Sequence, residues 1–275
     1  MSAFRAAFER ILRRENRRAA PRPGRLEHIH ELESKILGNR REITIYLPAG
    51  YDDNDRRYPV LYMQDGQNLF DAQRAYIPGQ HWRLQESADG AIGERTARPM
   101  IIVGVDHAGV SRADEYTPSR DPKHKAGGRA GDYARMLIEE LKPLIDTRFR
   151  TQPDVENTGV GGSSLGGLVS LYLVLRHRDV FSRAIAMSPS VWWNAKEILG
   201  LVDVFSGPPP RLWLDMGGRE GMEGLKDARA LRASLGAKHW PGGAIRYYED
   251  RRGDHSERAW ANRVRMALEF LFPPA

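Results

Sequence analysis

The chain has no cysteine among its 275 residues. That excludes a disulfide framework, a thiol nucleophile and a thiolate metal site, and it suits a cytoplasmic setting. Long apolar runs are also missing. No stretch approaches the ~18 consecutive apolar residues of a membrane span. The first 18 residues are arginine-rich and lack the continuous apolar core of a secretory signal. The expectation is a cytoplasmic protein with no membrane span. Lysine is scarce as well, with seven against 35 arginines. Acids are interspersed among those arginines, and much of the net charge of +6 sits in the first 25 residues. The basic balance therefore reads as compositional bias, and no nucleic-acid partner is expected. A mild preference for anionic substrates is compatible with it.

What is present is an ordinary globular composition, 41% apolar and 28% charged. The length suits one large domain. Residues 19–24, Ala-Ala-Pro-Arg-Pro-Gly, form a linker. Residues 1–24 are thus expected to be a basic helix plus linker, with Phe4, Phe8, Ile11 and Leu12 on one face. That helix would pack on the body or on a second copy, a candidate homo-oligomer contact. Residues 25–275 are expected to form one catalytic domain.

Alternation over Leu26–Leu37 and Arg41–Leu47, separated by Gly38-Asn39, predicts an antiparallel strand pair. Short apolar runs at Tyr58–Met63, Met100–Val105, Thr158–Gly161, Ala184–Met187, Leu212–Met216 and Ala244–Tyr248 read as buried parallel strands. Helical stretches fall at about 131–148, 165–177, 224–235 and 256–271. This order predicts an α/β fold, a mostly parallel sheet covered on both faces. Right-handed crossovers bring the strand C-termini to one edge, where sites form.

The most informative segment is Asn157–Gly167. Within it, Gly162-x-Ser164-x-Gly166 follows a predicted strand and opens a predicted helix, the context of a nucleophile elbow. Ser164 is the expected nucleophile. Ser163 occupies the x position, and a frame shifted by one would need glycine where Leu165 stands. In the Ser–acid–His order of such folds the base comes from the loop before the last helix, which singles out His255. His81, His107 and His124 precede the serine, and His177 and His239 are less suitably placed. The acid is expected after the penultimate strand. Glu220, in the loop, is favoured over Asp215, within the strand. For the oxyanion hole, one amide is expected from Leu165 and the other from the turn after an early strand, where Gly66 permits the turn and Gln67 N–H is the better donor. Trp192, Trp193, Arg112 and Glu115 are expected to line the substrate cleft. Asp106-His107 lacks a partner histidine at ligand spacing, so neither metal nor cofactor is expected.

The segments Tyr62–Asp71 (YMQDGQNLFD), Glu115–Pro118 (EYTP), Gly161–Gly167 (GGSSLGG), Met187–Trp193 (MSPSVWW) and Gly217–Glu220 (GGRE), with the distal Asp254-His255, resemble the esterase family that contains enterochelin (siderophore) esterases, feruloyl and acetylxylan esterases, esterase D-like enzymes and mycolyltransferases. The resemblance spans roughly residues 30–272. It implies an α/β-hydrolase fold and hydrolysis of a siderophore, sugar-linked or small acyl ester through an acyl-enzyme. It carries over the serine, the histidine and the oxyanion loop, while members differ in the acid. Three other classes stay open: an acyltransferase on the same fold, a serine peptidase and a non-catalytic binding module.

Overall fold

The computed structural model describes residues 23–274. The expected N-terminal helix lies outside the described residues. The strands are β1 (Arg25–Ser34), β2 (Asn39–Leu47), β3 (Val60–Gln64), β4 (Ile101–Val105), the short pair β5 (Arg120–Asp121) and β6 (Ala126–Gly127), β7 (Thr158–Ser163), β8 (Arg183–Met187), β9 (Arg211–Gly217) and β10 (Ile245–Asp250). The helices are α1 (Leu84–Gly93), α2 (Arg112–Glu115), α3 (Ala130–Arg135), α4 (Lys142–Arg148), α5 (Leu165–Arg176), α6 (Trp193–Val204), α7 (Met222–Gly236) and α8 (Glu257–Leu271). A π-helical turn, Met136–Leu141, joins α3 to α4, so the expected helix over 131–148 is continuous but not uniform. Helices α1 and α6 were not anticipated.

The main sheet runs β1-β2-β4-β3-β7-β8-β9-β10. β1 is antiparallel to β2 and β2 to β4, and every later pairing is parallel. The expected N-terminal antiparallel pair and mostly parallel sheet are both present, in the α/β-hydrolase arrangement.

Side chains alternate across this sheet with period two. Val60 and Tyr62 point into one core with Ile101, Val103, Ala184, Ala186, Leu212 and Leu214. Leu61 and Met63 point into the other with Ile102, Ile185, Met187 and Trp213. The first core is covered by α3 to α7, which contribute Tyr133, Ile145, Leu171, Ile198 and Leu231. The second is covered by α1 and α8, through Leu84, Ala88, Trp260, Val264 and Leu268. Burial on both faces explains why these strands read as continuous apolar runs rather than alternating ones. The carboxyl ends of β3, β7, β8 and β9 and the loop after β10 converge at one edge, and the residues singled out by sequence gather there.

Candidate active site

β7 is glycine-rich where its neighbours crowd it: a Cβ on Gly161 would lie 2.6 Å from Met63 Sδ and 2.9 Å from Ile185 Cβ. Ser164 has φ 56° and ψ −122° and caps α5. A non-glycine residue held there costs roughly 1–3 kcal/mol, which the surroundings must offset. Its backbone is fixed by Ser164 N donating to Met187 O (3.0 Å) and by Ser190 N donating to Ser164 O (3.0 Å). The motif's glycines have a steric reason. A Cβ on Gly162 would lie 2.9 Å from the Gly166 carbonyl carbon, and one on Gly166 would lie 3.0 Å from Asp65 Oδ2. Ser164 Oγ stands 3.3 Å from Ser190 Oγ. Ser163 is buried at the strand end.

His255 lies between β10 and α8, one residue before Ser256, whose hydroxyl accepts from Ala259 N at 3.3 Å and starts the helix. His255 packs edge-on against Trp260, centroids 4.9 Å apart. Its Nδ1 is 2.6 Å from Glu220 Oε2. A carboxylate only accepts, so Nδ1 carries the proton, and in the neutral imidazole Nε2 is the lone-pair nitrogen.

Glu220 is held from several sides. Its Oε1 accepts from Gly217 N (2.8 Å) and from Ser188 Oγ (2.5 Å). A Cβ on Gly217 would come within 2.5 Å of that oxygen, so glycine makes room for the carboxylate. Burial pushes the carboxyl up, but the hydrogen bonds from His255 and Ser188 outweigh it and hold Glu220 below its ordinary value.

Asp215 has a different environment. It is wholly buried, accepts from Trp213 Nε1 at 2.7 Å and pairs with Arg263 at 3.1 Å. Burial pushes it up to about 6. Its partners keep it away from the histidine. Arg263 Nη2 and Trp260 Nε1 also donate to Ser188 Oγ, at 3.1 and 3.0 Å, so one network links Asp215 to Glu220. Sequence reading missed Arg263 and Ser188. A signal existed for the first: Arg263 sits on the apolar stripe of α8 beside Trp260, Val264 and Ala267, where a charge needs a buried partner.

The turn after β3 begins with Asp65 in the left-handed region (φ 57°) and continues through Gly66–Asn68. Gly66 is demanded by close approach, since a Cβ there would lie 2.6 Å from the Gly104 carbonyl carbon. Asp65 is clamped by Arg112 through two bonds, 2.7 and 2.8 Å, and Asp65 N donates to Tyr116 Oη at 3.2 Å. Gln67 Oε1 accepts from His107 N at 3.3 Å. The Leu165 amide belongs to the first turn of α5, where intrahelical partners are missing and the helix dipole favours an anion.

Ser164 and His255 border two cavities. One, about 420 Å³, is lined by Asp65, Asn68, Tyr76, Arg112 and Trp260. The other, about 280 Å³, is lined by Ser190, Trp192, Met216, Glu220 and Asp227. Of the expected cleft residues, Arg112 and Trp192 line these cavities. Trp193 and Glu115 do not. Trp193 is 2% exposed in the core, its Nε1 donating to Ser119 O at 2.9 Å. Glu115 is buried against Arg41 at 3.0 Å. Both sit in helices whose inward faces are claimed by packing. Asp106 pairs with Arg74 at 2.8 Å, and among the described residues no cluster of three or more His, Asp or Glu stands ready for a metal ion. Among those residues no helix is long and apolar enough to cross a membrane.

Comparison with known proteins agrees with this architecture. Protein YbbA of Bacillus subtilis (strain 168) is 26% identical over 254 residues, covering 88% of this chain and 96% of that protein. The ferri-bacillibactin esterase BesA of the same organism is 32% identical over 168 residues, covering 58% of this chain and 54% of BesA. The crystal structure of the BES protein from Bacillus cereus superposes with a TM-score of 0.73 at 24% identity, covering 90% of this chain and 94% of that one. Residues 34–271 match the family model described as "Putative esterase", and the chain belongs to that family.

Proposed function

We propose that this esterase-family member hydrolyses carboxylic esters through a serine acyl-enzyme. The observation that carries the reading is the 2.6 Å contact between His255 Nδ1 and Glu220 Oε2, beside a serine held in a strained strand-to-helix turn. Ser164 Oγ attacks the ester carbonyl while His255 Nε2 takes its proton. The base then returns the proton to the leaving alcohol, and water repeats the cycle on the acyl-enzyme. Glu220 holds the imidazole tautomer and stabilises the imidazolium. The amides of Leu165 and Gln67 stabilise the tetrahedral oxyanion, with Gly66 shaping the turn that presents the second. The 3.3 Å contact of Ser164 Oγ with Ser190 Oγ is read as a resting position; the proposal requires the hydroxyl to turn toward His255, as catalytic hydrogen bonds often tighten only around substrate.

Two cavities meeting at Ser164 suit an ester with a sizeable group on each side of the scissile bond. BesA is by name an esterase of a ferri-siderophore, so siderophore lactones head the substrate classes we propose, followed by sugar-linked aryl esters such as feruloyl esters. The test is a turnover panel: p-nitrophenyl esters of rising chain length, methyl ferulate and a catecholate trilactone, each with a matched amide, and with and without an acceptor alcohol. Ester turnover without amide turnover supports the reading. A transesterified product exceeding the acid would convert it to acyl transfer.

A further inference from the structure

At the opposite end of the sheet lies a cavity of about 370 Å³, near the amino ends of β7, β8 and β9. Its walls include Arg178, Arg183, Arg211 and the run Pro208–Pro210. Arg183 and Arg211 are register partners on adjacent parallel strands, which puts two like charges side by side. Neither guanidinium is loose. Arg183 Nε donates to Glu156 O at 2.6 Å, Arg183 Nη1 donates to Leu271 O, and the guanidinium stacks over Phe272 at 5.4 Å. Arg211 Nε donates to Phe270 O at 2.5 Å and stacks over Phe270 at 4.4 Å. Arg98 adds a third cation over the same Phe272 ring, at 5.7 Å.

The carbonyls of Phe270 and Leu271 are the last of α8, so these bonds also cap that helix. Capping uses only part of each guanidinium's five donors. Arg178 is seated differently. Its Nη1 occupies the space beside Gly207 (φ 126°), 1.6 Å from where a Cβ would stand. It forms no hydrogen bond among the described residues. Among those residues none of Arg98, Arg178, Arg183 and Arg211 forms an ion pair with a carboxylate. Glu156 lines the cavity and Asp154 stands near it, and both act on Arg183 only at longer range than an ion pair. Burial, reinforced by Arg98 and Arg211, pulls Arg183 down to about 10.

We infer that this cavity is a binding site for a small polyanion, a molecule carrying two or more phosphate or carboxylate groups. The chemistry is direct: two planar guanidinium groups, Arg183 and Arg211, fixed by backbone carbonyls and aromatic rings and partly desolvated, stand with Arg178 as like charges whose repulsion anionic oxygens would offset. Pro208–Pro210 supplies a wall that loses little entropy on binding. The inference does not depend on the proposed esterase chemistry.

The test is calorimetric titration of the full chain with pyrophosphate, citrate and inorganic phosphate at fixed ionic strength. The expected result is saturable binding of pyrophosphate or citrate, roughly tenfold tighter than inorganic phosphate, ~1.4 kcal/mol. Which of the two binds tighter separates phosphate from carboxylate recognition. Arg178→Gln should weaken binding roughly tenfold with melting temperature and ester turnover unchanged, because this guanidinium holds no protein group. Gly207→Ala should weaken it comparably by displacing Arg178 while keeping the charge. Absence of saturable binding by any of the three anions overturns the inference. So does equal binding by the wild type and Arg178→Gln, which places the anion elsewhere; that comparison stands even if Gly207→Ala misfolds.

Discussion

At the carboxyl ends of the parallel strands, charged side chains stand in partnered sets: Asp65 with Arg112, Asp215 with Arg263, Glu220 with His255. At the amino ends of the same strands Arg183 and Arg211 stand side by side and form no ion pair among the described residues. The two ends use one backbone for opposite electrostatic purposes. At the first, Ser164 and His255 are the groups proposed to react, and the charges around them are paired within the protein. At the second, unpaired charge makes a field that a diffusible anion can answer. Elements can therefore be sorted by whether their charges are spent inside the protein.

The first way to break this comparison is to remove the pair proposed to react. Ser164→Ala and His255→Ala should each lower kcat on a p-nitrophenyl ester by ~10⁴-fold or more while circular dichroism stays unchanged. Next is the buried pair that supports the site. Arg263→Ala removes the cation beside the buried Asp215, leaving it only its hydrogen bonds from Trp213 and Ser188, and should cost ~3–5 kcal/mol in urea unfolding at neutral pH. Adding Asp215→Asn should recover part of that loss, which identifies the carboxyl left without its cation as the cause. Glu220→Gln keeps the shape and removes the charge that fixes the imidazole. Its kcat should fall by ~10²- to 10⁴-fold with KM little changed.

The pH dependence of that variant has a definite sign. The folded carboxyl is held below its ordinary value, so Glu220 contributes stability above that ordinary value. The contribution fades as pH falls through the depressed folded value. The gap in urea midpoint between wild type and Glu220→Gln should accordingly be widest at neutral pH and close in acid. The smallest expected effect is at the rim. Trp192 is 46% exposed beside Ser164. Trp192→Ala should raise KM for aryl esters several-fold and leave kcat for acetyl esters nearly unchanged.

Much of the fold is legible in the sequence because its strands are short and buried on both faces, so each appears as an apolar run. The elbow is legible because Gly162 and Gly166 answer a local steric demand. Helix α6 is not, since it opens with Asn194, Ala195 and Lys196 in left-handed conformations that no propensity marks. Side-chain direction is the other loss. Trp192 and Trp193 are adjacent, yet one borders the cleft and the other is core. Glu115 resembles a cleft residue until Arg41, distant in sequence, claims it. Glu220 and Asp215 both read as candidate acids, and only their long-range partners, His255 for one and Arg263 for the other, distinguish their environments.

The most direct measurement is labelling with a fluorophosphonate probe, followed by peptide mapping. A single adduct is expected, on Ser164, formed far more slowly in His255→Ala. An adduct on Ser163 or on the neighbouring Ser190, or no adduct on a protein that still turns over esters, would contradict it.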